Sequence, residues 1–496
     1  MDACDLDAAL ARRLIGARKL SSRELTQSCI RRIEAVDHAV NAMVARSFEA
    51  ALAEADAADA MVARGAALPL LHGLPVGIKD LEETAGLRTT YGSPIFRDFV
   101  PQEDAGVVAR VRAAGGIVLG KTNVPEFGLG ANTRNSVYGA TGNPFDPSRS
   151  AAGSSGGSAV ALATGMVPLA TGSDTGGSLR NPAAFCGVVG FRPTPGLVPN
   201  ELRGHGWSPL SVLGPMARTV PDLCLLLAAI VSDDARDPLA TTIYGRAVRR
   251  AEDFAQPGAV DLTSVRAAFS PDLGFAPTER HIARVFAAKC ALFRRAFASA
   301  EDAAPDCTGA DEAFEVLRAV GVLGNHLEKV RTRPQDCGPN VHANVEEGLR
   351  YTAADVARAQ SLQTAMYRRW QASFAGFDVL ITPGITISPR DWRELYPAEI
   401  DGQPTRTYFH WLSLAYAATL AGHPAMCLPV GRDEAGLPFG LQIVGPRGGD
   451  AYVLAVAAAM ERLLAGDARA ARPVPDIAAL VKAAPIADMP GFIGFG

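Results

Sequence analysis

The sequence has little of what marks several protein classes. No apolar run is long and unbroken enough to span a membrane. The start, Met1-Asp-Ala-Cys-Asp-Leu-Asp7, lacks the basic-then-apolar profile of a signal peptide. A net charge of −4 over 496 residues gives no electrostatic reason to expect nucleic acid or an anionic membrane. The eight cysteines are scattered, without a Cys-x-x-Cys pair, so they read as free thiols of a reducing cytoplasm. The eight histidines show no metal-ligand spacing, and no metal or other cofactor is expected. Lysine is scarce too: Lys19, Lys79, Lys121, Lys289, Lys329 and Lys482 stand among arginines. Drift towards Arg and Ala accounts for the bias. It leaves a question at lysines inside apolar segments, because arginine cannot be deprotonated in a protein whereas lysine can.

What is present is an ordinary globular composition, 48% hydrophobic and 20% charged, with ample Gly and Pro for turns. Ser21-Ser-Arg-Glu24 is a capping box ahead of helically spaced Leu25, Cys29 and Ile33. The pattern then changes to strands near 74–78, 116–120, 167–171 and 187–191, with helices at 105–114, 158–164 and 178–185 between them. A helix over 218–230 precedes a charged, mostly helical stretch at 232–373. Strand patterns return at 377–382, 425–430 and 439–444, followed by a helix over 451–464. Strands alternating with helices predict an α/β sheet with helices on both faces. No repeat or low-complexity linker divides the chain, so residues 1–496 are expected to form one domain.

Three fragments carry chemistry. Lys79 ends the apolar run Gly73-Leu-Pro-Val-Gly-Ile-Lys79-Asp80. A lysine there snorkels to water, or, if buried, loses charge and becomes a general base. Gly153-Ser154-Ser155-Gly156-Gly157 matches G-x-S-x-G around Ser155, but the proline-rich residues before it do not read as the strand that a nucleophile elbow needs. In Gly172-Ser-Asp-Thr-Gly-Gly-Ser178-Leu-Arg180, a tight turn leads into a helix whose free N–H groups can hold an oxyanion. An ordinary turn with a serine N-cap fits those residues equally well.

Taken together, the run over 73–195 resembles the amidase signature family of serine hydrolases. The resemblance includes both Gly/Ser motifs, their separation of 178 − 154 = 24 residues, and the upstream lysine. Leu119-Gly-Lys-Thr-Asn123, Gly422-His-Pro-Ala-Met-Cys-Leu-Pro429 and Gly436-Leu-Pro-Phe-Gly-Leu-Gln-Ile-Val-Gly445 continue it. It covers most of the chain and is weakest over 232–373. It implies a large mixed twisted sheet covered by helices, with a helical elaboration in that middle segment.

The resemblance also implies a Ser–cis-Ser–Lys triad. Ser178 would attack an amide carbonyl, Ser154 would follow a cis peptide and relay the proton, and neutral Lys79 would accept it. Thr175, Gly176, Gly177 and Ser178 would supply oxyanion-binding N–H groups, with Ser155 and Asp174 in support. Ala131, Asn132, Thr133 and Tyr138 are candidate pocket residues. So is Arg180, which binds a substrate carboxylate in some relatives, although a structural ion pair suits it as well. His410, Trp411 and Tyr416 are candidates for the acyl side. Lys121 and Cys186 read as structural. The expected ligand is a small or aromatic linear amide, and a homodimer is left open. The rival readings are the A-type glutaminase component of a tRNA-dependent amidotransferase and a non-catalytic scaffold. Against the first, residues 232–373 lack the Tyr-Asp-Gly-Val-Arg-Tyr-Gly-like stretch those glutaminase components carry.

Overall fold

Ser21 Oγ accepts the Glu24 N–H at 3.0 Å while the Glu24 carboxylate takes the Ser21 N–H at 2.8 Å. This reciprocal cap starts helix α1 (Ser22–Val40), where the capping box predicted it. The structure is a computed structural model that describes residues 2–240, 242–243 and 246–494.

Eleven strands form the main sheet. In chain order they are β1 (Met43–Arg46), β2 (Pro75–Lys79), β3 (Ile117–Thr122), β4 (Leu169–Asp174), β5 (Val189–Arg192) and β6 (Val212–Ala217). β7 (Arg266–Phe269), β8 (Ser299–Asp302), β9 (Val379–Pro383), β10 (Ala425–Arg432) and β11 (Pro438–Val444) complete it. The spatial order is β1-β3-β2-β4-β6-β5-β10-β11-β9-β7-β8. β2 runs parallel to β3 and β4, and β7 runs parallel to β8 and β9; the other pairings are antiparallel. The sheet is therefore mixed, as the resemblance implies.

Strands β2, β3, β5, β6, β9 and β11 are buried at every residue. Continuous burial, rather than alternation, means that both faces are covered. Two groups of helices do the covering. α2 (Gly106–Ala113), α5 (Val220–Ile230) and α8 (Asp450–Ala465) pack together, and α3 (Gly156–Ala163) and α4 (Arg180–Cys186) form the other group. No helix among the described residues is long and apolar enough to cross a membrane.

The middle segment is mainly helical, as expected, with helices over Arg280–Phe293, Ala310–Thr332, Pro339–Arg350 and Ala353–Ser373, and it adds to the main sheet two strands that the sequence pattern does not predict. It contributes β7 and β8, which extend one edge of the sheet, as well as α6 (Ala310–Thr332). α6 packs against α7 (Ser413–Ala421) near the loop that carries Ser178.

Candidate active site

Lys79 is the last residue of β2 and is fully enclosed. Its Nζ lies 2.8 Å from Ser154 Oγ, 2.8 Å from Ser155 Oγ and 2.9 Å from Ser173 Oγ. Its backbone N–H donates to Thr171 Oγ1 at 3.0 Å. Thr171 and Ser173 are two residues apart on β4, and strand alternation puts both side chains on the Lys79 side. Three hydroxyls suit either protonation state of the nitrogen. An ammonium donates to all three, whereas a neutral amine donates to two and accepts from the third. Burial pushes the Lys79 ammonium down to about 7, against the raising influence of Glu82 and Asp174. Lys79 can therefore be neutral near pH 7 and accept a hydrogen bond from one of the neighbouring hydroxyls.

The two adjacent serines differ in access. The Gly153–Ser154 peptide is cis, and Ser154 lines an open cavity. Ser155 caps α3, is wholly enclosed, and donates its N–H to Ser178 O at 3.3 Å. Gly157 has no room for a side chain, since a Cβ would come 2.2 Å from Asn123 N. That close approach presses α3 against the end of β3 and fixes the serine loop.

Asp174, which ends β4, organises the second loop. Its Oδ1 accepts from the Gly177 N–H at 3.0 Å and Arg180 Nη2 at 2.8 Å. Its Oδ2 accepts from the Leu179 N–H at 3.1 Å and Arg180 Nε at 3.0 Å. Arg192 Nη1 adds a longer contact to Oδ1 at 3.3 Å. Burial alone would raise this carboxyl, but the two guanidinium groups outweigh it and hold Asp174 well below the usual carboxylate range. Gly177 adopts φ 108°, and a Cβ there would lie 2.6 Å from Ala415 Cβ.

A cavity of about 490 Å³ opens on Ser154, Ser173, Thr175, Gly176 and Ser178. Its remaining lining is mixed. Phe127, Tyr91 and Phe96 form one apolar part, and Phe314 and Leu317 of α6 with Phe409 another, while Glu83, Arg203, Arg318, Asn325 and Lys329 add polar groups. Phe127 meets Phe96 edge-on at 6.1 Å, and Tyr91 meets Phe96 at 5.0 Å. Ser178 is half-buried, and its hydroxyl has no hydrogen bond to Ser154 or to any other described residue. The N–H groups of Thr175, Gly176 and Ser178 likewise meet no acceptor among the described residues. Gly177 differs, because its N–H is taken by Asp174 and it does not line the cavity. Of the four N–H groups expected to bind an oxyanion, those of Thr175, Gly176 and Ser178 are thus the ones without an acceptor among the described residues.

Several expected pocket residues lie elsewhere, for physical reasons. Asn132 donates its amide to Trp392 O at 2.7 Å and Glu394 O at 2.9 Å, which ties two loops together. Thr133 Oγ1 donates to Ala152 O at 2.8 Å and accepts the Gly156 N–H at 3.1 Å, so it braces the serine loop. Ala131 is buried against Gly153. Tyr138 sits under Arg88 in a separate groove with Asn41 and His38. Arg180 is fully buried between Asp174, Ala415 O and Thr419 Oγ1, out of reach of a ligand carboxylate. Trp411 donates its indole N–H to Tyr408 O and faces a crevice with Phe185, while His410 Nδ1 accepts from the Arg406 N–H. Around the 3-10 turn His410–Leu412, the cavity is met by Tyr408, Phe409 and Leu412 instead. Tyr416 stacks on Phe314 at 4.3 Å and donates its hydroxyl to Asp311.

Ser173 and Phe314 were not expected at the site. Ser173 carries a signal, since it lies inside the Gly172–Arg180 motif, two residues after the end of the strand pattern at Thr171. Phe314 carried none, because its place depends on how α6 folds back over the sheet.

The profile of the family described as Amidase matches residues 24–454. The chain is 33% identical over 454 residues to an acylamidase of Rhodococcus erythropolis, covering 90% of this chain and 93% of that protein. It is 37% identical over 483 residues to the A-type component of the glutamyl-tRNA(Gln) amidotransferase of Acidothermus cellulolyticus, covering 90% and 92%. The structure is similar to that of a bacterial aryl acylamidase of the amidase signature family. The TM-score is 0.84 at 25% identity, covering 98% of this chain and 99% of that one.

Proposed function

The chain belongs to the amidase signature family of hydrolases acting on amide C–N bonds, and from that premise we propose that it cleaves linear amides with an aromatic or bulky apolar group through a Ser178 acyl-enzyme. The observation that carries this reading is the enclosed Lys79 amine, 2.8 Å from the hydroxyl of Ser154, beside a cavity that Ser178 also lines.

Ser178 Oγ attacks the amide carbon and gives its proton to Ser154 as Ser154 gives its own to neutral Lys79. The N–H groups of Thr175, Gly176 and Ser178 receive the developing oxyanion. The proton then returns by the same route to the departing amine, and water releases the acyl group. The hydrogen bond between Ser178 and Ser154 forms when substrate is bound, as catalytic contacts commonly tighten in the complex. Asp174 holds the turn rather than the proton. Because the middle segment supplies both a sheet edge and a cavity wall, we read residues 1–496 as one catalytic domain.

The 37% identity to an amidotransferase component favours a second reading, a glutaminase that works with partners. The aromatic lining around Phe127 and Phe314 favours the first, since glutamine offers little apolar surface to bury there. The purified chain is expected to hydrolyse anilides without partner proteins or ATP, and faster than glutamine. Fluorophosphonate labelling of Ser178, lost in Ser178→Ala, separates either enzyme from a scaffold. An unlabelled wild-type chain that hydrolyses no amide would end both readings.

A further inference from the structure

Glu82 lies three residues beyond Lys79, is 3% exposed, and has no part in the relay described above. Its Oε2 accepts a short hydrogen bond from Thr171 Oγ1. The same Thr171 oxygen accepts the Lys79 N–H at 3.0 Å, which leaves the threonine hydrogen free to point at Glu82. The Glu82 N–H donates to Lys79 O at 3.0 Å, closing the turn after β2. Its other carboxylate oxygen, Oε1, is enclosed without a hydrogen-bond partner.

A glutamine of the same shape could accept the Thr171 bond without burying a charge. A carboxylate with one oxygen unpartnered in the interior is costly on structural grounds alone. What the carboxylate adds is a negative charge close to Lys79. We propose that Glu82 is a positioning residue of this site: it holds the end of β2 through Thr171, and its charge sets the pH at which Lys79 gives up its proton. The proposal rests on the reading of Lys79 as the relay base.

The other charged groups around the pair fit that role. Asp174 on β4 also acts on Lys79, but it is engaged by Arg180 and Arg192. Lys121 on β3 is fully buried and donates to Glu82 O, to Thr84 Oγ1 at 2.9 Å and to Thr89 Oγ1 at 3.2 Å. Burial pushes the Glu82 carboxyl up, and the Thr171 hydroxyl and the positive charges of Lys121 and Lys79 oppose burial by favouring its ionised form. Burial likewise pushes Lys121 down, against Asp80, Glu82, Asp104 and Glu83. The Asp80 carboxylate is turned to Thr90, whose hydroxyl donates to it at 2.6 Å. Of the two carboxylates that act on Lys79, Glu82 is thus the one without a guanidinium partner.

The sign follows directly. Burial favours neutral Lys79, and Glu82 opposes burial by stabilising the ammonium. Glu82→Gln removes the opposition, so the acidic limb of kcat/KM should move to lower pH by roughly one unit. The plateau rate should stay within about tenfold of wild type, since no group that meets substrate is altered. Thr171→Val, which takes the hydroxyl donor away from Glu82 Oε2 and so favours its neutral form, should shift the limb the same way, and Thr171→Ser should leave it in place. The threonine pair serves if Glu82→Gln does not fold, and the pH dependence of fluorophosphonate labelling serves if turnover is slow.

A limb that stays fixed in Glu82→Gln, or in Thr171→Val where only the threonine variants fold, overturns the proposal, and so does a shift to higher pH. A fixed limb alongside an inactive Lys79→Ala condemns Glu82 alone. Full activity in Lys79→Ala condemns the relay reading and this proposal together.

Discussion

Arg180 Nη2 lies 2.8 Å from Asp174 Oδ1, with both side chains sealed from solvent inside the loop that carries Ser178. This ion pair holds two backbone N–H groups in place while leaving those of Thr175, Gly176 and Ser178 free for a ligand oxygen. Removing one partner leaves the other charge buried. Asp174→Asn should therefore cost about 3–5 kcal/mol of stability, read as a lowered midpoint in thermal or denaturant unfolding. The carboxyl is held below its unfolded value, so its contribution is present above about pH 4 and is lost as the pH falls further. The deficit of Asp174→Asn against wild type should accordingly shrink in strong acid.

Lys79→Ala should lower kcat by at least about 10³-fold, as expected for loss of a positioned base. Lys79→Arg should be no better, since a guanidinium stays charged. In wild type the relay needs neutral Lys79, so log kcat/KM should fall with unit slope below about pH 7 and level off above it. A pH–rate profile between pH 5 and 9 checks this, and an acidic limb absent from that range would count against Lys79 as the base.

Ser155 offers the contrast with Ser154. Ser155→Ala removes one of three hydroxyls around Lys79 but nothing that faces the cavity. Its rate should drop roughly tenfold, in keeping with one lost hydrogen bond to a charged group, with labelling of Ser178 retained. Ser154→Ala should fall much further, because it breaks the path of the proton. Pre-steady-state acylation rates distinguish the two.

Phe127→Ala and Phe314→Ala test the apolar lining. Each should lower kcat/KM for an anilide by about 10- to 100-fold, from the roughly 1.5–3 kcal/mol of a buried phenyl group. A short aliphatic amide should be little affected. Equal losses on both substrates would mean that these rings support the fold rather than select the ligand.

Much of the catalytic half was legible because its signals are local. Capping, Gly/Ser turns and apolar runs placed α1, β2, β3 and α3 close to where they lie. β6, Val-Leu-Gly-Pro-Met-Ala, was not foreseen, because Gly214 and Pro215 break the pattern of a strand that is nonetheless buried throughout. β1 escaped notice as a four-residue strand between two helices. Arg180 could be read as a ligand for carboxylate or as an ion-pair partner, and only the fold decided, by enclosing it against Asp174. Around residues 408–412 the error was one of phase. His410 and Trp411 are the conspicuous side chains, yet the chain entering and leaving the 3-10 turn shows Tyr408, Phe409 and Leu412 to the cavity. Ligand-facing positions set by helix rotation and long-range packing leave no short motif to read.

The wall formed by α6 has a consequence for how such a protein can change over generations. The proposed proton path runs through residues 79–178, whereas Phe314 and Leu317 come from a stretch more than a hundred residues away in the chain. Substitutions, insertions or recombination within 232–373 can reshape what the cavity admits without touching the atoms that break the bond. The share of selectivity that this wall carries is thus heritable apart from the proposed chemistry, and new diets of substrate can be sampled while the residues of the relay are kept.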